Sequence, residues 1–185
     1  MKTVLTPCVL AALIVASPPA VVHAQSYPRT LAATADAAGP GGSLTGKLTI
    51  HVDHLMTDRD FKRVADALKF GGYPKFLPAL RQLPMIGYVE AGGRQVEIKY
   101  ARVRAADKRL VIGTDQPIYF VGAGSPEAKP RAGYELAVIE LDVDPQGNGQ
   151  GTMAAAARVK PAADGGVVLD DYATTPIRLS VAPAK

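Results

Sequence analysis

His51, Asp53 and His54 form the densest cluster of groups in this chain that could do chemistry. His51 and Asp53 are two residues apart at the end of an alternating stretch, Ser43 to Val52, so on a strand both side chains would share one polar face. Imidazole and carboxylate are zinc ligands, and Asp58 or Asp60 follows closely enough to add an oxygen. Zinc held by His51, Asp53 and His54 is therefore one expectation. The competing use of the same residues is ordinary: hydrogen-bonded groups where a strand end runs into a helix cap. A second chemistry would join His51 or His54 to Ser43, Ser125 or Ser180 and an aspartate as a hydrolytic triad. No serine sits in a G-x-S-x-G elbow. Ser125 follows Gly122-Ala123-Gly124, but Pro126 comes next and no helix, so the segment is neither an elbow nor a phosphate cradle.

Two further patterns carry less. Asp142, Asp144, Gln146 and Asn148 have the spacing of a calcium loop, with Gly147 at its sixth position. Met153 stands where the bidentate glutamate belongs, and the flanks alternate like strands, so the stretch reads as a polar hairpin turn. Arg94, Lys99, Arg102, Arg104, Lys108 and Arg109 make the middle of the chain basic. The formal net charge is only +4 and tryptophan is absent, which argues against nucleic acid. A basic face of this kind leaves an anionic glycan or lipid head group open as a ligand.

Residues 1–24 have the layout of a secretory signal. Lys2 gives the positive start, Val9 to Ala16 a short apolar run, and Val22-His23-Ala24 a small-x-small cleavage site before Gln25. The apolar run is shorter than the roughly 20 residues a membrane helix needs. Cys8 is the sole cysteine and would leave with the signal, so the exported chain would hold no disulfide and no thiolate chemistry. Pro7 precedes Cys8 where a lipid-attachment site needs a small residue.

The elements that must position these groups follow in order. Residues 25–42, rich in Ala, Gly, Thr and Pro, read as a flexible lead-in. A single β-rich domain is expected over 43–182, beginning with a strand at Ser43 to Val52. Thr57 opens a helix with Phe61, Val64, Ala65 and Leu68 on one stripe, ended by Gly71-Gly72. Pro74 starts a second helix with Phe76, Leu77, Leu80 and Leu83 inward. Strands then dominate: Met85 to Glu90 with Arg94 to Arg104, then Arg109 to Thr114, Pro117 to Val121, a long hairpin from Gly133 to Val159, and two closing strands. Ala154 to Ala157 would favour a helix by propensity, yet Gly149, Gly151, Val159 and Pro161 around it favour a strand on which something packs closely. The fold class expected is α+β, mostly antiparallel: a sandwich or half-open barrel with a helical hairpin inserted after the first strand.

T-D-Q-P-I-Y-F (Thr114 to Phe120), Y-E-L-A-V-I-E-L-D-V-D (Tyr134 to Asp144) and D-Y-A-T-T-P-I-R-L (Asp171 to Leu179) occur in this order. Together they resemble a group of exported bacterial proteins of unknown function with a T-D-R-P-I segment, a long hairpin and a closing P-I-R-L strand. Gln116 departs from the pattern, which has arginine there. The resemblance implies export and a β-rich fold and brings no catalytic residue. The function expected is a secreted or periplasmic, non-catalytic binding or structural envelope domain. Its partner would be a small apolar or anionic envelope ligand, not nucleic acid, and no transmembrane segment would remain after cleavage. The alternative is a metal-dependent or serine hydrolase using His51 and His54. Intact-mass measurement of the exported protein should give a chain starting at Gln25 without lipid; a form retaining Cys8 would refute the cleavage site.

Overall fold

The computed structural model describes residues 26–39, 42–119, 130–163, 165–172 and 175–184. The expected signal segment and Ser125 lie outside them. The strands are β1 (Arg29–Gly39), β2 (Gly42–Val52), β3 (Gly87–Ala91), β4 (Arg94–Val103), β5 (Leu110–Thr114), β6 (Leu136–Val143), β7 (Gly149–Pro161), β8 (Val167–Tyr172) and β9 (Ile177–Pro183); α1 (Asp58–Arg81) lies between β2 and β3. Neighbours from β1 to β8 pair antiparallel, β9 pairs with both β7 and β1, and the sheet closes into an eight-stranded barrel. Ala157 pairs with Tyr172 of β8 and Met153 with Ile177 of β9. β8 and β9 therefore follow one another along one edge of β7; β9, which also pairs with β1, is the eighth stave, and β8 extends from β7 alone.

Closure has a simple physical cause. Alternate residues of the ring strands are apolar, and a closed ring hides them while pairing both edges of those strands, so that among the described residues the outer edge of β8 is left outside the ladder. Partners across the ladder show the inner face directly: Leu31 with Ile50 and Val89, then Ile112 with Ile139, Met153 and Ile177. None of these is more than 2% exposed. Burying each such side chain stabilises by about 1.5–3 kcal/mol. An eight-stranded ring is just wide enough for side chains to fill, and here they fill it.

A second layer covers part of the outer wall. Arg102 and Glu140 mark that wall by reaching solvent, and Tyr100, Val111 and Val138 share it by register. Thr57 caps α1: its hydroxyl accepts from the Asp60 amide at 3.2 Å and donates to the Asp60 carboxylate at 2.8 Å. Val64, Ala65 and Leu68, then Phe76, Leu77 and Leu80, form the buried stripe. The helix lies against β7 and β4. Phe76 and Leu80 meet Val159, Val167 and Leu169 of the β7–β8 ribbon over Tyr100 and Val138, leaving a gap of only about 20 Å³. Gly72 breaks α1 with φ +64°, a conformation glycine adopts without a Cβ penalty.

Several expectations change. Residues 29–39, expected as part of the flexible lead-in 25–42, form β1, which pairs with β2 along its whole length. Leu31, Ala33, Ala35 and Ala37 are at most 5% exposed while the residues between them face water, so small side chains concealed an ordinary period-two strand. The barrel thus begins before residue 43, and the helical insertion follows the second strand. The sandwich or half-open barrel becomes a closed one. Residues 115–119, expected within a strand from Pro117 to Val121, form a bend and coil; Phe120 lies outside the described residues. A bulge in β7 opposite Leu136–Val138 shifts the alternation inside the alanine run. Ala154, Ala155 and Ala157 are all buried, because both walls of β7 are covered there.

Gly151 is required for the β6–β7 contact. A Cβ there would lie 2.6 Å from Leu141 Cδ2 and closer still to the Glu140 carbonyl oxygen. Gly151→Ala should cost about 1–3 kcal/mol in urea melts, the range for overpacking a tight contact. An unchanged midpoint would mean that β6 and β7 are not this close.

Candidate functional site

The row of polar groups around His51 is assembled by strand register. Thr30 on β1 and Tyr88 on β3 lie directly across from His51 on β2. The Thr30 hydroxyl is 2.7 Å from His51 Nδ1, and His51 Nε2 is 3.0 Å from Asp53 Oδ1. The Tyr88 ring stacks on the imidazole at 5.1 Å. Both ring nitrogens are therefore engaged. His54 is exposed. Among the described residues no three His, Cys, Asp or Glu side chains come together as a metal site. Zinc at His51 would have to displace Thr30 or Asp53 from a ring nitrogen. Ser43 and Ser180 are exposed, and neither is a hydrogen-bond partner of His51. The hydroxyl that does meet His51 is Thr30, which could not be found while residues 25–42 read as a lead-in.

The calcium-like stretch is a turn. The Asn148 amide donates to Asp144 Oδ1 at 2.8 Å, and the Gly147 amide to the Asp144 carbonyl at 3.0 Å. The Asn148 amide bond above all holds the Asp144 carboxyl below the usual carboxylate range. Arg29 closes this end of the barrel by donating to the Asp144 and Pro145 carbonyls at 2.8 and 2.9 Å.

Most of the basic middle hairpin is neutralised internally. Lys99, 8% exposed, donates to the Leu83 carbonyl at 3.0 Å and pairs with Glu97 at 2.6 Å. Arg102 bonds Asp58 at 2.8 Å with its guanidinium over the Phe61 ring. Arg104 grips both Asp107 and Glu140, and Arg109 approaches the same pair at 3.6 and 3.8 Å. Arg94 alone of the β3–β4 turn is left without a partner among the described residues.

Thr114 to Ile118, Tyr134 to Ala137 and Asp171 meet at the other end of the barrel. The Thr114 hydroxyl accepts from the Ala137 amide at 3.0 Å and donates to the Gln116 carbonyl at 2.6 Å. The Ile118 amide takes the Ala155 carbonyl, at 2.9 Å, beside the β7 bulge. The Tyr134 hydroxyl donates to Asp171, and this bond raises the phenol above its ordinary value. Thr114 to Ile118 thus seals the barrel end where the regular β6–β7 ladder is interrupted.

Beside that seal lies an open cleft of about 830 Å³. It is lined by Val96, Arg81, Arg94, Gln95 and Gln116, with Ile118 fully buried behind them. Arg81 donates Nε and Nη2 to the Asp115 carbonyl at 3.2 and 3.1 Å, which fixes the end of α1 against the seal. Asp115 is the carboxylate of the cleft. Its Oδ1 is buried without a hydrogen-bond partner, and burial first, then Glu97, raises its carboxyl above the usual range. No sequence motif announced this cleft, because Arg81, Arg94 and Asp115 come from three separate elements.

These elements define an eight-stranded antiparallel barrel with one helix on its wall. No protein-family model, curated protein or solved structure matches the chain.

The Arg104 network makes a prediction about acid stability. Arg104 holds the Asp107 carboxyl down to about 2. A depressed carboxylate pKa stabilises the fold above the unfolded value of about 3.9 and loses that contribution as pH falls through the folded value. Asp107→Asn should therefore be less stable than the wild type at neutral pH, and the difference should vanish as pH falls from about 4 to about 2. A difference that stays constant over that window in urea melts would show that Asp107 acts by some other route.

Proposed function

We propose that the protein is a non-catalytic binding domain of the cell envelope, exported by its N-terminal signal, and that its ligand is a small anionic molecule held in the cleft beside Thr114 to Ile118. The observation that carries this reading is the donor set. Among the described residues Arg94 has no partner and Arg81 bonds no carbonyl through Nη1, and Gln95, Gln116 and Val96 line the same cleft. Such groups suit carboxylate or phosphate oxygens, which arginine binds with paired N–H donors. An apolar ligand inside the barrel fits less well, since the interior is occupied by Leu31, Ile50, Ile98, Ile112 and Ile139. The two halves of α1 about Gly72 act in this proposal as a helical hairpin that braces the cleft through Arg81. Kinship with the exported group that the three segments resemble belongs to the same proposal.

A hydrolase using His51 and His54 is the second reading, favoured by one observation: the hydroxyl–imidazole–carboxylate line of Thr30, His51 and Asp53. Its order is inverted relative to a serine triad, where the carboxylate orients Nδ1 and the nucleophile meets Nε2. Histidine-dependent hydrolysis of a simple nitrophenyl ester, lost in His51→Gln, would move this reading to first place.

The binding reading is tested by thermal and urea unfolding with inorganic phosphate, citrate and galacturonate, with glucose as a neutral control. At about 100 times its Kd an anion held in the folded state should add about 2.7 kcal/mol. Arg94→Glu should abolish the gain, whereas Lys108→Glu, at the opposite end of the barrel, should keep it. No gain with any of the three anions, or an equal gain in Arg94→Glu, would overturn the anionic-ligand assignment.

A further inference from the structure

The outward face of α1 is basic and ends in a bare aromatic ring. Arg59, Lys62, Arg63, Lys69, Lys75 and Arg81 are all exposed along the helix. Its acids are occupied within the protein: Asp58 by Arg102, Asp60 by the Thr57 hydroxyl, and Asp66 by Lys62. The chain then turns at Gly72, and at that elbow Phe70 is 79% exposed, the most exposed of the large apolar side chains among the described residues. No acid lies between Lys69 and Lys75. The Lys69 ammonium sits 5.4 Å from the Phe70 ring centroid, so charge and ring are presented together.

We propose that this elbow docks on an anionic lipid bilayer, with the Phe70 ring entering the interface while Lys69 and Lys75 meet lipid phosphates. A single protruding ring flanked by cations is poorly suited to a protein partner, which needs an apolar patch with a matching pocket and a dry centre. A bilayer supplies apolar depth under any point of its surface and needs no pocket. Its negative surface attracts each nearby lysine or arginine, and the long side chains keep their charges at the phosphates while the ring goes deeper. Phe76 and Leu80, one and two turns beyond, face the barrel wall, so the contact is confined to the elbow and is weak and reversible. The bilayer faces α1 and leaves the cleft ligand proposed above as a separate question.

The chain contains no tryptophan, so Phe70→Trp creates a single reporter at the tip. Its emission should shift to the blue on vesicles of mixed phosphatidylcholine and phosphatidylglycerol, stay unchanged on phosphatidylcholine alone, and be quenched by brominated acyl chains. Added salt should reverse the shift. Cosedimentation of the otherwise unmodified protein with the anionic vesicles should weaken by more than about tenfold in Lys69→Glu/Lys75→Glu, given the contribution of each surface lysine. Phe70→Ser should weaken it as well, with a nearly unchanged melting temperature, since most of the Phe70 ring faces solvent. An unshifted tryptophan on anionic vesicles would overturn the proposal. So would a shift produced equally by polyglutamate without lipid, which would mark the elbow as a site for an acidic protein.

Discussion

The structure depends on a ring of backbone hydrogen bonds that has to close through one strand. β7 pairs with β6 on one edge and with β8 and β9 on the other, so it joins the end of the strand series to its beginning. That duty explains its unusual composition. Glycines near its start let β6 approach to a distance that a Cβ would forbid at Gly151. The alanines that follow allow α1 to lie close to the same strand. Larger side chains at these positions would push staves apart, and a barrel with one widened seam exposes the edges whose removal stabilises it.

Closing the ring leaves a problem at the bulge, and the chain solves it with Thr114 to Ile118. The Thr114 hydroxyl satisfies the Ala137 amide, and the Ile118 amide satisfies the Ala155 carbonyl. Buried backbone groups without partners cost about as much as a lost hydrogen bond, so this short segment does the work of missing ladder bonds. The same segment walls the cleft and receives Arg81 from the end of α1. The seal and the candidate binding surface are thus one piece of structure.

Charge is distributed unevenly over this frame. Lys99, Arg102, Arg104 and Arg109 are used in internal pairs, which removes most of the middle hairpin from any role in attracting anions. Exposed pairs of this kind stabilise little individually, but Glu140, with two arginines on one half-buried carboxylate, orders the β4–β5 turn against β6. Other cations stand apart from these pairs, at Arg94 near the cleft, at Lys108 on the opposite end, and at Arg59, Lys69 and Lys75 along the exposed face of α1. A net charge of +4 conceals this segregation.

What the sequence determined by itself is the local geometry. Alternation of apolar residues in Leu136 to Val143, the polar turn at Asp144 to Asn148, the β3–β4 hairpin and the Thr57 cap are all set by neighbours in the chain, and each is found where the residues imply it. The site residues were only partly legible. His51 and Asp53 meet because a strand places residues two apart on one face, whereas Thr30 and Tyr88 join them through register across three strands. β1 was hidden because alanine gives little hydrophobic contrast, and its strand character is enforced by pairing with β2 and β9. The closing of the barrel, the fate of the basic hairpin and the cleft bounded by Arg81, Arg94 and Asp115 were decided by tertiary structure alone. Each depends on which distant groups come within a few ångströms, and local spacing along a chain does not specify that until the sheet has chosen its partners.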